Sequence, residues 1–260
     1  MKIATFNVNS IRRRVGALCQ WLQDAGPDVV LLQELKAQQE QVPLMEIEAL
    51  GYRVELVGQK AYNGVAIVSR HPIAVTQRAL PGDGADDHAR YIEGDIQGPA
   101  GTLRVASIYL PNGNPAPGEK FNYKLRFLKR LQAHAKALLD LEVPVVLGGD
   151  YNVVPTDIDV YDPVATADDA LCRPETRQAY RCILNLGYTE AYRALHPNRI
   201  EYSFWDYQAG GWQKNNGWRI DHLLLSPGLA GRLIDAGVDR TVRGMDGASD
   251  HAPAWVVLGP

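Results

Sequence analysis

Asp150 and Asn152, near the middle of this 260-residue chain, have the types and the spacing to do chemistry. A carboxylate can take a proton or hold a hard cation, and an amide can donate to a developing oxyanion. They follow Val145-Val146-Leu147, a continuous apolar run of the kind that forms a strand buried on both faces. Gly148 and Gly149 come between, which predicts a tight turn and a close backbone approach to a ligand. In extended geometry residues at i and i+2 leave the same face, so both side chains would present together. The competing reading is an Asx-turn in which both residues bond only local backbone.

Other strand candidates end in the same way. Asn7, Glu34, Tyr109, Asn112, Asp221, Asp250 and His251 all lie at or just beyond apolar segments. One such ending is ordinary, but this many suggest a single mouth at one edge of the sheets. Carboxylates and amides are hard oxygen ligands, so the implied ion is Mg²⁺, with Mn²⁺ able to substitute, rather than zinc. Asp250 and His251 are sequence neighbours and would point apart in a strand, so a remote acid is the better partner for His251. Asp221 is the best candidate, and such pairing would raise the histidine pKa and fix its tautomer. His222, the next residue after Asp221, should face the opposite side.

The elements that must position these groups can be read in outline. Residues 2–8 read as a strand, with Ser10 as N-cap of a helix over 11–25 whose stripe is Val15, Leu18, Cys19 and Leu22 and which Gly26-Pro27 ends. Segments 28–32, 64–69, 103–109, 219–225 and 254–258 read as strands. Residues 120–141 form the longest helix and 174 to about 186 another, opened by Pro174 and closed by Gly187. The stretch 81–88 is a polar loop, 112–118 a Gly/Pro/Asn loop, and 156–169 an acidic irregular loop. Arg12, with Arg13 and Arg14, sits in a helix first turn, where the dipole disfavours cations; it is either a solvated face or a phosphate-facing patch. Lys120 and Lys124, nearest the loop at 112–118, are the likelier ligand contacts of the long helix. No linker, repeat or low-complexity tract interrupts the chain, so 1–260 reads as one α/β or α+β domain.

Composition bounds the function classes. The chain is 46% hydrophobic and 22% charged with a net charge of −3, an ordinary globular balance that neither announces nor excludes a nucleic-acid partner. No apolar run is long enough for a membrane span, and three cysteines without metal spacing suit a reducing cytoplasm.

The motifs ATFNVNSIR, LLQELK, NGVAIVS, YLPNG, GGDYNVVPTDIDVYDP, GWRIDHLLLS and SDHAP, in that order from Ala4 to Pro253, resemble the exonuclease III family of DNA-repair nucleases within the endonuclease/exonuclease/phosphatase superfamily. The resemblance implies a four-layered α/β sandwich, with two mixed β-sheets packed face to face and flanked by helices. It implies Glu34 as principal metal carboxylate with Asn7 close by, and Asp250 as a secondary metal or histidine-supporting group. Asp150 would orient or deprotonate the attacking water, Asn152 would help hold it, and His251 paired with Asp221 would meet the scissile phosphate. Tyr109 and Asn112 would be phosphate ligands, and Phe204, Trp218 and Ile220 would form a pocket for an extruded abasic sugar. Trp205 and Trp212 could equally be core. The implied activity is Mg²⁺-dependent cleavage 5′ to abasic sites in duplex DNA, with 3′-to-5′ exonuclease and 3′-end-cleaning activity, by a monomer with no membrane partner. The chain departs from the family at Tyr151, often Phe or Trp, and at Met245 to Ala248. The rival readings are a superfamily phosphatase acting on another phosphoester, and a non-catalytic DNA-binding module, which should have lost a metal carboxylate or the histidine.

Overall fold

A computed structural model describes residues 1–98 and 101–260. In chain order its elements are β1 (Lys2–Asn7), α1 (Ile11–Ala25), β2 (Val29–Gln33), α2 (Leu44–Glu48), β3 (Arg53–Val57), β4 (Val65–Ser69), β5 (Ile73–Gln77), β6 (Tyr91–Gly98), β7 (Gly101–Tyr109), α3 (Glu119–Leu139), β8 (Val145–Asp150), α4 (Pro174–Leu184), β9 (Thr189–Glu190), α5 (Ala191–Leu195), β10 (Asp221–Leu225), α6 (Pro227–Ala230), β11 (Leu233–Val238) and β12 (Ala254–Leu258).

The strands form two mixed six-stranded sheets, ordered β11-β12-β1-β2-β4-β3 and β5-β6-β7-β8-β10-β9. Ile3, Leu31 and Ile67 from the first sheet meet Val105, Val146 and Leu223 from the second in one apolar core. The outer face of the first sheet is covered by α1 through Leu18, Trp21 and Leu22. The outer face of the second is covered by α3 and α4 through Phe127, Leu131, Tyr180 and Ile183. This is the four-layered α/β sandwich that the sequence implied. Strands buried on both faces read as unbroken apolar runs for that reason. No helix among the described residues is long and apolar enough to cross a membrane.

Two local expectations are corrected. Ser10 does not cap α1 with its side chain; its backbone lies at φ 86° and makes no side-chain cap bond. Instead, the N–H groups of Ser10 and Ile11 donate to the carbonyls of Glu34 and Leu35, at 2.8 and 3.1 Å, so the helix start is tied to the segment after β2. The Gly148-Gly149 pair is not a turn either, because β8 runs through both to Asp150. A Cβ on Gly149 would sit 2.0 Å from the Ile108 carbonyl oxygen, and one on Gly148 would meet Leu31 across the core at 2.6 Å. The glycines are needed for close packing around a strand, and the ligand-binding turn begins only after Asp150.

Candidate active site

The mouth forms where strands of both sheets end together. β1 closes on Asn7, and β2 is followed at once by Glu34 in left-handed backbone at φ 53°. β7 and β8 run parallel and end in register on Tyr109 and Asp150, while antiparallel β10 opens with Asp221 opposite Asp150. His251 arrives from the segment just before β12 and bridges to Phe204.

Asn7 joins the sheets. Its Nδ2 donates to Glu34 Oε1 at 2.8 Å and to Asp150 Oδ2 at 2.9 Å. The Tyr109 hydroxyl donates to the same Glu34 oxygen at 2.8 Å. His251 Nδ1 pairs with Asp221 Oδ2 at 2.9 Å, as expected, and its Nε2 lies 3.8 Å from Asp150 Oδ2. The Asn152 N–H donates to Asp150 Oδ1 at 2.9 Å, with Asn152 in left-handed backbone at φ 48°. Extended geometry therefore stops at Asp150. The two readings of this pair prove compatible, since one carboxylate oxygen makes the local Asx bond while the other faces the mouth. Asn112 Nδ2 donates to Asn152 Oδ1 at 3.2 Å.

Glu34, Asp150, Asp221 and Asp250 are offset at close range by His251 and Lys36, with Lys124 behind Asp150. Burial pushes the Asp150 carboxyl up, and the charges of Asp221 and Glu34 add to this against the pull of His251. Burial alone would lower the His251 pKa, but Asp221, Asp150 and Asp250 outweigh it and hold the imidazolium above its ordinary range. Burial would raise the Glu34 carboxyl, yet Lys36 and Asn7 bring it below the usual value. Burial, then Glu34 and Asp150, drive the Tyr109 phenol well above its usual value, so it is a proton donor.

This donor set fits a hard divalent cation. Asp150 and Asp221 each offer an oxygen within 4.8 Å of the other, and Asp221 Oδ1 is buried without a hydrogen-bond partner, while the protonated His251 beside them is a donor and not a ligand. Glu34 and Asp150, which share the Asn7 amide nitrogen at 2.8 and 2.9 Å, are the carboxylates that would hold it. Asn7, expected beside the metal as a ligand, instead turns its nitrogen to both carboxylates while its oxygen takes the Asn9 N–H at 3.0 Å. Two buried carboxylates need a donor between them, so Asn7 orients them. Asp250 sits further out, accepting from Asn9 Nδ2 at 2.9 Å.

Lys36 and Asn9 were not singled out from the sequence. Lys36 Nζ lies 2.6 Å from Glu34 Oε2 and 2.6 Å from Asn9 Oδ1, which links Glu34 to Asp250. The LLQELK motif held the signal, since a lysine two positions after a strand-end carboxylate can fold back over it.

The Phe204 ring lies 4.9 Å from the His251 ring, tilted by 55°, its backbone pairs with Trp218, and both aromatics pack partly buried on Ile220. The three expected pocket residues are thus one apolar wall beside the histidine. Trp205 is buried in a small cluster with Tyr202 and Ala252, and Trp212 packs against it from the rim. Arg12 and Lys120 are exposed, as a phosphate contact requires. Lys124 is not. It is fully buried and donates to the carbonyls of Asn112 and Asn152, so the expectation that it meets DNA is wrong. Its turn of α3 faces the core, where a long apolar stem packs well. His222 faces away from the mouth as alternation requires, bonding the Val153 carbonyl at 2.9 Å. Tyr151 fills the core beneath, its hydroxyl donating to the Leu147 carbonyl at 3.1 Å.

Comparison with known proteins follows this geometry. Residues 4–251 match the model of the Endonuclease/Exonuclease/phosphatase family. The chain is 34% identical to the exodeoxyribonuclease III of Haemophilus influenzae, with 98% of each chain covered. It superposes on an AP endonuclease from Archaeoglobus fulgidus with a TM-score of 0.94 and 36% identity, covering 99% of both chains. It also superposes on a 3′ phosphatase from Neisseria bound to a product DNA hairpin, with a TM-score of 0.96 and 35% identity over 100% of both chains.

Proposed function

The chain belongs to the endonuclease/exonuclease/phosphatase family and is a DNA-repair nuclease, and from that premise we propose that it hydrolyses the phosphodiester 5′ to abasic sites in duplex DNA and trims blocked 3′ ends, using Mg²⁺. The carrying observation is the bridge from Asn7 to both Glu34 and Asp150, which holds the carboxylates of two sheets at one mouth beside the Asp221–His251 pair. A non-catalytic module has no use for such a concentration of buried charge, and no carboxylate of the set is missing.

The residues divide the work as follows. Asp150 Oδ2 accepts a proton from water aligned with the phosphorus, and its other oxygen is fixed by the Asn152 N–H. The imidazolium of His251, held by Asp221, offers Nε2–H to a phosphate oxygen as negative charge develops there. The N–H groups that the Asn112 and Asn152 amides keep free are further donors to that phosphate, and Tyr109, whose hydroxyl proton is held by Glu34, would turn from it to join them. Glu34 and Asp150 would hold the cation, which would supply positive charge against the phosphate. The wall of Phe204, Trp218 and Ile220 is apolar and suits an extruded sugar that carries no base. Arg12 and Lys120 contact flanking phosphates, and the whole of 1–260 acts as one unit on the duplex, as a cytoplasmic monomer.

The kinship with a 3′ phosphatase makes end-trimming a second reading of the same site. A tetrahydrofuran-containing duplex, labelled at the 5′ end in one arm and the 3′ end in the other, separates them. Incision at the lesion with a 3′-hydroxyl product, dependent on added Mg²⁺, is expected. Loss of terminal phosphate or terminal nucleotides with no incision at the lesion would overturn the abasic-site reading.

A further inference from the structure

Lys124 is a buried cation whose role the mechanism above leaves open. Its side chain has 0% exposure, and no carboxylate lies within ion-pair distance of it among the described residues. Burying an ammonium without a counter-ion costs several kcal/mol, and an apolar residue of similar length would fill the same space without that cost. What the ammonium does contact is specific. Nζ donates to the Asn112 carbonyl at 2.9 Å and to the Asn152 carbonyl at 2.5 Å. These carbonyls belong to the two loops that leave β7 and β8, the loops that carry the amides of the site.

The surroundings are shaped to admit this contact. Gly113, at φ 91°, would place a Cβ 2.6 Å from Lys124 Cδ, so only glycine lets the stem pass. Asn152 holds a left-handed backbone at φ 48°, uncommon for a residue with a side chain. Its side chain is fixed in turn, with Nδ2 donating to the Leu110 carbonyl at 3.0 Å and Oδ1 accepting from Asn112. The Asx bond to Asp150 closes the chain of contacts at the proposed base.

We propose that Lys124 is a positioning residue for phosphodiester cleavage: its buried charge staples the Asn112 loop to the Asn152 loop and sets the aim of both amides relative to Asp150. The assignment rests on the nuclease reading given above. It explains why a charged residue stands here. A cation draws two carbonyls to one point more strongly than a neutral donor does, roughly doubling each hydrogen bond. Burial lowers the Lys124 pKa to about 7, with Asp150, Asp169 and Cys172 pulling the other way, so the staple is held at little margin.

The test compares Lys124→Met, which keeps the stem, and Lys124→Gln, which keeps a neutral donor, with Lys120→Met on the exposed side of the same helix. Single-turnover cleavage of an abasic duplex and duplex affinity across a salt series are measured for each. For Lys124→Met the cleavage rate should fall about 100-fold, the scale of a small misplacement of catalytic groups, with affinity and salt slope unchanged. Lys124→Gln should fall between it and the wild type. Lys120→Met should instead lower the salt slope by about 0.9, as loss of one phosphate contact does. The side-chain amide signals of Asn112 and Asn152, read by ¹⁵N NMR on free protein, should shift or broaden in both Lys124 variants. A folded Lys124→Met or Lys124→Gln with wild-type rate overturns the proposal, as does a reduced salt slope in either. If the wild type cuts no abasic duplex, the function assigned above fails instead, and unmoved amide signals in the Lys124 variants would still overturn the staple.

Discussion

Two clusters of buried charge flank β10, and they are built on opposite plans. Towards the mouth, Asp221 joins Asp150, Glu34 and Asp250, with His251 and Lys36 paired to them and Lys124 set behind Asp150. Behind it, Arg219 binds Asp159 at 2.7 Å and Glu190 at 3.0 Å, and Arg193 binds Asp159 as well. The second cluster is balanced, two carboxylates against two guanidinium groups. Burial lowers His222 beside it to about 4, with Arg219 adding to the shift, so this histidine is neutral at pH 7. Each cluster leaves a buried polar atom without a partner, Asp221 Oδ1 in the first and Arg219 Nη2 in the second, but only the first keeps an excess of negative charge. Paired buried charge fixes a loop in place, whereas unbalanced buried charge stores a demand for a cation and a substrate. Adjacent residues of one strand, Asp221 and His222, belong to the two different plans.

The sharpest way to break this contrast is Asp150→Asn. Cleavage in single turnover should drop by about 10²–10⁴-fold, the usual worth of general-base assistance. Thermal stability should hold or rise, because one of several crowded carboxylates loses its charge. Gel-shift affinity for the duplex should not fall. Near-normal cleavage would remove Asp150 from the chemistry and return it to the Asx-turn reading.

Asp159→Asn probes the balanced cluster and should do the reverse. Removing one partner of a buried pair should cost about 3–5 kcal/mol of stability, with the cleavage rate of the folded fraction within about tenfold of wild type. Burial would raise the Asp159 carboxyl, but Arg219, Thr156 and Arg193 outweigh it and lower the pKa to about 2. Its contribution is therefore present above the unfolded value of about 3.9 and lost as pH falls towards 2, of order 2 kcal/mol in all. Denaturant melts from pH 5 to pH 2 should show a shallower acid-side decline in the variant. An equal decline in both proteins would mean that the pair does not hold the loop.

The smallest effect concerns the cation. Mg²⁺ at about a hundred times its dissociation constant should stabilise the wild type by about 2.7 kcal/mol, seen as a rise in Tm. Glu34→Ala should lose most of that rise. The same rise in both proteins would place the ion away from Glu34 and undo the account of the unbalanced cluster.

What the sequence made legible follows the same division. Strand-end groups are legible because each directly borders an apolar run, before or after it, and the Asp221–His251 pair because Asp221 at a strand start is the best remote acid for the histidine. The balanced cluster was missed. Asp159 read as part of an irregular acidic loop, and only folding brings it to Arg219. Lys124 was misread because helical periodicity marks the apolar stripe but not which lysine lies beneath it. Strands β3, β5 and β11 are edges or near-edges with half-exposed patterns that resemble loops. β6 was hidden by its own charges: Glu93 is buried yet paired with Arg104 at 2.8 Å, so a central strand carries an acid that pattern reading assigns to solvent.

The pairing of β1 with β12 has a consequence for the order of events during synthesis. β1 can join β2 early, since the two run parallel with only α1 between them. Its other edge waits for β12, which pairs with it from Lys2 opposite Val257 to Thr5 opposite Ala254. His251 comes into place with that last strand. A ribosome-bound chain therefore carries Asn7, Glu34 and Asp150 before it carries the imidazole that faces them in the folded protein. Until then the open edge of β1 is a template for unwanted strand pairing. The pairing of β12 thus brings the histidine to the mouth and closes the free edge of β1 in one event.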